Sequence, residues 1–184
     1  GVQGGWLGFL RGWIAIFVGA VALRAHDPGI STAQGEVRAG VLELTVGFAP
    51  ADAQQLLPPP ARTAASWTEA EFRAAKDALQ TLAQELWEAR AGTTVVVPVE
   101  TQVNLADRDS LNFRFVYPCP GGGRLTLRAL KLGALPPGHR QFLIITDERG
   151  STIATKLLSA KDDRIEIDLG QSASRLAESP AAAE

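Results

Sequence analysis

The stretch Gly123–Leu169, GRLTLRALKLGALPPGHRQFLIITDERGSTIATKLLSAKDDRIEIDL, decides the fold. It reads as four strands with three tight connections, because apolar residues recur at every second position between clusters of Gly, Pro and Asp. Leu125 and Leu127 share one face, with Thr126 and Arg128 opposite. Leu130 and Leu132 fall on the other parity, which predicts a bulge near Ala129, since one extra residue flips every later side chain. Pro136, Pro137 and Gly138 end that strand. The next strand, Arg140 to Asp147, is apolar on both parities, which predicts a central strand covered on both faces. Glu148 to Ser151 is a hairpin connection, Thr152 to Ser159 a third strand, and Lys161-Asp162-Asp163 the next turn. The last strand aims Ile165, Ile167 and Leu169 inward and Glu166 and Asp168 outward.

Working back toward the N-terminus, Thr32 to Arg38 and Val41 to Phe48 form a hairpin around Arg38-Ala39-Gly40, with Leu42, Leu44, Val46 and Phe48 on one face. Ala51 to Leu57 reads as one or two helical turns, and Pro58-Pro59-Pro60 is too stiff for a helix interior. A long helix begins at Thr68. Thr68 and Glu71 have capping-box spacing, and Trp67, one residue before the cap, can staple onto Phe72. Phe72, Ala75, Leu79, Leu82 and Leu86 recur as one buried stripe, and Gly92 is the expected stop beyond Arg90. Val95, Val97 and Val99 open another strand, and Asn104 to Ser110 reads as a polar turn. Leu111, Phe113, Phe115 and Tyr117 alternate strongly. The sum is mainly β: an antiparallel β-sandwich of about eight strands with one long α-helix inserted after the first hairpin. This domain occupies residues 26–170. Residues 1–25 are a signal peptide or N-terminal anchor, and the Ser-, Ala-, Glu- and Pro-rich residues 171–184 are a disordered tail or linker.

The chain has 184 residues and a formal net charge of −2, so no electrostatic case exists for nucleic acid. It contains no Met and begins with Gly1, which reads as a fragment of something longer. A single Cys, Cys119, rules out an internal disulfide framework. Arg11 and Arg24 flank the uninterrupted apolar run Trp13 to Leu23, which has the length of a signal-peptide h-region and is short for a bilayer span. Ala20-Val21-Ala22 offers a small-x-small cleavage pattern, and a cut after Ala25 is the second choice. Either way the domain is expected to be exported, periplasmic or otherwise extracytoplasmic, with membrane anchoring the consequence if the run is retained.

Three segments carry a family resemblance: AHDPGIS (Ala25 to Ser31), VLELTVGFAPADAQQLL (Val41 to Leu57) and LPPGHRQFLIITDERGSTIATKLLSA (Leu135 to Ala160). Together they resemble the extracytoplasmic N-terminal domain ahead of the membrane helices in HupE/UreJ-like bacterial proteins. The resemblance implies a β-sandwich, and the family name is linked to nickel or hydrogenase accessory functions, a link that attaches to membrane helices this chain lacks after Leu169. In some relatives the segment before the long helix looks like an EF-hand loop. With Glu71 as the twelfth loop residue, Pro60, Arg62 and Ala64 occupy the first, third and fifth positions, and Ala65 stands where Gly belongs. Those residues supply no carboxylate, so the segment is EF-hand-like in sequence only and calcium is not expected.

The residues that carry chemistry are few. Cleavage after Ala25 would make His26 the mature N-terminus, able to chelate copper through its amine and imidazole with His139 as a further nitrogen. The ordinary reading of His139, in a Pro-Pro-Gly turn, is solvent exposure. Cys119 has no base linked to it in sequence and reads as a loop thiol. Asp162-Asp163 is a turn pair, Glu166 and Asp168 a solvated face, and Gly121 to Gly123 lacks the Lys and helix of a phosphate loop. Arg38, Arg114, Arg124, Arg128 and Arg140 are candidates to line one sheet face. No catalytic residue and no cofactor is assigned. The expectation is a non-enzymatic exported β-sandwich module, binding or structural, with an unknown protein or membrane-associated partner. The alternative is a periplasmic copper-binding protein using His26.

Overall fold

The two strongest alternations in the sequence meet at the centre of the molecule. A computed structural model describes residues 29–59, 67–106, 110–119 and 123–169. In it β2 (Val41–Phe48) and β6 (Ser110–Pro118) pair antiparallel. The register sets Leu42 opposite Tyr117, Leu44 opposite Phe115, Val46 opposite Phe113 and Phe48 opposite Leu111, and all these side chains are buried. Cross-strand apolar pairs of this kind are the unit of sheet stabilisation. Phe48 meets Phe113 edge-on, with ring centroids 6.0 Å apart.

β1 (Ile30–Arg38) joins β2 through the expected hairpin, where Ala39 and Gly40 both take positive φ. At Gly40 the constraint is the positive φ, since a Cβ there would make only ordinary contact with the Cys119 carbonyl oxygen, at 3.4 Å. The remaining strands are β3 (Trp87–Ala91), β4 (Thr94–Val96), β5 (Glu100–Ala106), β7 (Arg124–Ala129), β8 (Arg140–Asp147), β9 (Thr152–Leu158) and β10 (Arg164–Asp168). They form a six-stranded sheet in the order β5-β6-β2-β1-β8-β9 and a four-stranded sheet in the order β10-β7-β3-β4. One continuous apolar cluster draws on both sheets and on the helices α1 (Pro50–Leu56) and α3 (Lys76–Leu86). At one flank the edge strands β9 and β10 are tied together by Lys156, whose Nζ donates to Asp162 Oδ1 and to the Arg164 carbonyl. Among the described residues no helix is long and apolar enough to cross a membrane.

The mainly β, two-sheet expectation holds, and the four strands of the deciding stretch are present as β7 to β10. Several details differ. Ten strands form among the described residues, because the Val-rich segment divides at Pro98 into β4 and β5, with β5 running through Asn104 where a turn was expected, and because β3 replaces the expected end of the helix. The sheet is mixed, since β1 and β8 run parallel, Ser31 beside Gln141. No bulge forms at Ala129. The strand ends there, and a 3-10 turn at Leu132–Ala134 buries Leu132 instead. β8 has neighbours on both edges but only one covered face: Leu143 and Ile145 are buried while Phe142 is exposed.

The long helix is also shorter than expected. Its capping box is present, with Glu71 N donating to Thr68 Oγ1 at 3.2 Å and Thr68 N donating to Glu71 Oε2 at 2.8 Å. The segment divides at Ala75 into α2 (Glu69–Ala74) and α3, and α3 stops at Leu86 rather than near Gly92. Trp87 and Ala89 are buried at period two in β3, which pairs with β7, so sheet pairing overrides helix propensity from Trp87 onward. The stripe Ala75, Leu79, Leu82 and Leu86 is core, as its spacing predicted. Residues 1–25 and 171–184, most of the EF-hand-like segment, and His26 lie outside the described residues.

Candidate functional site

The polar residues buried in the core gather at one end of the six-stranded sheet, where β1 and β8 begin. Ser31 and Gln141 are register partners on the core face of those two strands and are fully buried. His139, one residue before β8, falls on the same parity as Gln141. Across from them α1 turns Asp52, Ala53 and Gln54 inward. Pro50 at the first helical turn has no N–H to lose, so it starts this short helix straight after β2 and sets Asp52 over the sheet end.

His139 is the hub. It is 3 % exposed, so the expectation of a solvent-facing turn histidine is overturned. Its turn, Pro136 to Gly138, folds back with His139 N donating to the Pro136 carbonyl, and parallel pairing then draws the ring under α1. Nε2 lies 2.9 Å from Ser31 Oγ, a hydrogen bond whose donor depends on the ring tautomer. Nδ1 lies 3.8 Å from Asp52 Oδ2, beyond hydrogen-bond range. Asp52 Oδ2, His139 Nδ1 and both amide atoms of Gln141 are buried without a hydrogen-bond partner. Burial pushes the His139 ring pKa below its usual value, against the opposing pull of the Asp52 carboxylate, so the ring is neutral at pH 7.

An imidazole between a serine hydroxyl and a carboxylate has the contact order of a hydrolase triad. Here Ser31 has no exposed surface and the carboxylate is not hydrogen-bonded to the ring, so the arrangement is closed to an acyl substrate. Sequence reasoning singled out His139 and passed over Ser31, Asp52, Gln54 and Gln141. Their signal was visible as polar residues on otherwise apolar faces: Gln141 shares parity with Leu143 and Ile145, and Ser31 with Ala33.

The other sequence candidates resolve differently. Cys119 is buried, its thiol pKa is pushed up by burial, and its Sγ donates weakly to the Tyr117 carbonyl at 3.7 Å. The arginines do not share one face. Arg38, Arg114 and Arg140 belong to the six-stranded sheet, and Arg124 and Arg128 to the four-stranded one. Arg38 pairs with Glu36, Arg114 with Glu43 and Glu100, Arg124 with Glu166 and Arg128 with Asp163. Among the described residues no group of three or more His, Cys, Asp or Glu is placed to hold a metal.

The outer face of the six-stranded sheet divides in two. Toward β5 it carries the Glu43–Arg114–Glu100 ion pairs. Toward β9 three apolar side chains are exposed, Ile30 at 46 %, Phe142 at 43 % and Leu157 at 55 %, with Phe142 and Leu157 directly opposite in the β8–β9 register and the exposed Arg140 beside Ile30. No family model matches the chain, and neither does any curated protein.

Proposed function

We propose that the chain is a non-enzymatic exported β-sandwich module that binds a partner at the membrane surface. The apolar outer patch of Ile30, Phe142 and Leu157 is the observation that carries this reading, because it lies where the chain enters the domain. The apolar run Trp13 to Leu23 is separated from Ile30 by residues 24–29. Six residues reach at most about 20 Å. A retained anchor would therefore hold the patch close to the bilayer. Exposed contiguous apolar surface marks interaction sites in soluble domains.

The test is photo-crosslinking in a bacterial host, with the chain expressed from its own N-terminus. A crosslinker at Phe142 should capture membrane lipid or membrane protein in intact cells, and one at Glu43, on the charged half, should not. Retention of the chain in the cytoplasmic fraction, or equal capture at both positions, overturns the reading.

A second reading is copper binding through the His26 amine and imidazole, without the His139 ring, which is buried between Ser31 and Asp52. Stoichiometric copper in the purified mature domain that is lost in His26→Ala would support it.

A further inference from the structure

The outermost strands of the two sheets are protected unequally. β9 and β10 are tied to one another through Lys156. β5 exposes Glu100, Gln102 and Asn104, and a charged or polar edge discourages pairing with another chain. β4 has neither device. It is the last strand of the four-stranded sheet, and no charged residue stands between Arg90 and Glu100. Val95 is exposed on it, and Val97 and Val99 follow at 71 % and 73 % exposed. The register with β3 decides what the open edge offers. The two-residue turn Gly92-Thr93, with Gly92 in positive φ, closes the hairpin with Ala91 opposite Thr94. The closing pair of such a hairpin exchanges both hydrogen bonds. Thr94 and Val96 therefore direct their N–H and C=O at β3, and Val95 turns both of its groups to the open side. Pro98 holds the residue before it extended, so Val97 continues the parity of Val95. The N–H that Pro98 lacks falls on the other parity and takes nothing from the open edge. Beyond it, Val99 N already donates to the Val116 carbonyl of the other sheet.

We infer that two copies of this chain pair through β4, antiparallel about a two-fold axis at Val96. In that register Val95 stands opposite Val97 of the second copy, and Val97 opposite its Val95. The open N–H and C=O groups of both residues are satisfied across the axis. Their side chains share one face, so the four valines cover one another as cross-strand pairs. The two four-stranded sheets become one sheet of eight strands. A second copy is the occupant that fits, because the stretch from Ala91 to Val99 carries no charge to repel its own image and none to recruit an acidic or basic peptide. A two-fold contact of this kind is closed, so pairing stops at the dimer. The edge belongs to the other sheet from the patch of Ile30, Phe142 and Leu157, so the dimer stands or falls separately from the proposed function.

Hydrogen exchange on the full chain in detergent, from micromolar to millimolar concentration, reads the pairing residue by residue. The Val95 and Val97 amides should gain protection as concentration rises. The Val96 amide, bonded to β3 in monomer and dimer alike, should change much less. Sedimentation velocity over the same range should show the monomer giving way to a dimer. Val95→Lys sets like charges beside the axis at an exposed position, and should weaken the dimer at least about tenfold with the far-UV circular dichroism unchanged. Val95→Thr keeps a β-branched side chain and the same backbone groups, and should retain most of the association. Protection at Val95 that does not depend on concentration overturns the proposal, whether the amide is open throughout or covered by another segment of the same chain. So does a dimer, or any larger particle, that Val95→Lys leaves intact.

Discussion

The two ends of the β1–β2 hairpin bury different chemistry. At the turn end, Leu42, Tyr117 and Cys119 close the core, and the Ile145 side chain fills the space over Gly35. At the opposite end of the same strands, Ser31, His139, Gln141, Asp52 and Gln54 are buried together. Several of their polar atoms lack partners. An apolar end gains stability from each group it buries. A polar end gains only if its hydrogen bonds are made, and loses where they are not. The difference separates a part of the molecule built for stability from a part whose stability is conditional.

The comparison is tested most severely in the apolar half. Phe115, opposite Leu44 and stacked on Tyr117, is buried toward the turn end, and Phe115→Ala should cost about 3–5 kcal/mol by denaturant unfolding, through lost burial and a cavity the sheets cannot close. The sign reverses at the polar end. Gln141→Leu removes two unpartnered amide atoms at similar volume and should leave stability unchanged or raise it by about 1–2 kcal/mol. A clear loss of stability in Gln141→Leu would mean that bound water satisfies the amide, and the contrast between the two ends would fail.

Acid sharpens the same contrast. The folded protein holds His139 neutral, while an unfolded chain protonates it below about pH 6.5. Because the unfolded state then binds more protons, stability falls as pH drops through that window, by up to about 1.4 kcal/mol per unit until the depressed folded pKa is reached. Unfolding midpoints at pH 7.5 and 5.5 should show this loss in the unaltered chain and a smaller one in His139→Gln.

What was legible in the sequence follows physical range. The alternations of β2 and β6, the hairpin at Gly40 and the strands after Gly123 depend on neighbours along the chain, and they read directly. The end of α3 at Leu86 did not, because Trp87 and Ala89 answer to β7, some forty residues away in sequence. The parallel pairing of β1 with β8 was equally hidden, and the buried cluster depends on it, since Ser31 and His139 are 108 residues apart. His139 looked like an exposed turn residue because its turn is local and its burial is not.

The capping box is the local counterpart of that cluster. Thr68 and Glu71 satisfy one another three residues apart on an exposed helix start, with no help from the fold. Hydrogen bonds from the Thr68 backbone and hydroxyl hold the Glu71 carboxyl below its usual pKa. Removing the hydroxyl in Thr68→Ala should therefore act only on α2, lowering Tm by about 2–4 °C with no change in the pH dependence set by His139. Ser31→Ala removes a hydroxyl too, but one that partners the buried ring, so it should shift that pH dependence as well as Tm. Thermal unfolding of both variants at pH 7.5 and 5.5 checks this. If the two behave alike, the polar end of the core is ordinary packing, and the distinction between the two ends is lost.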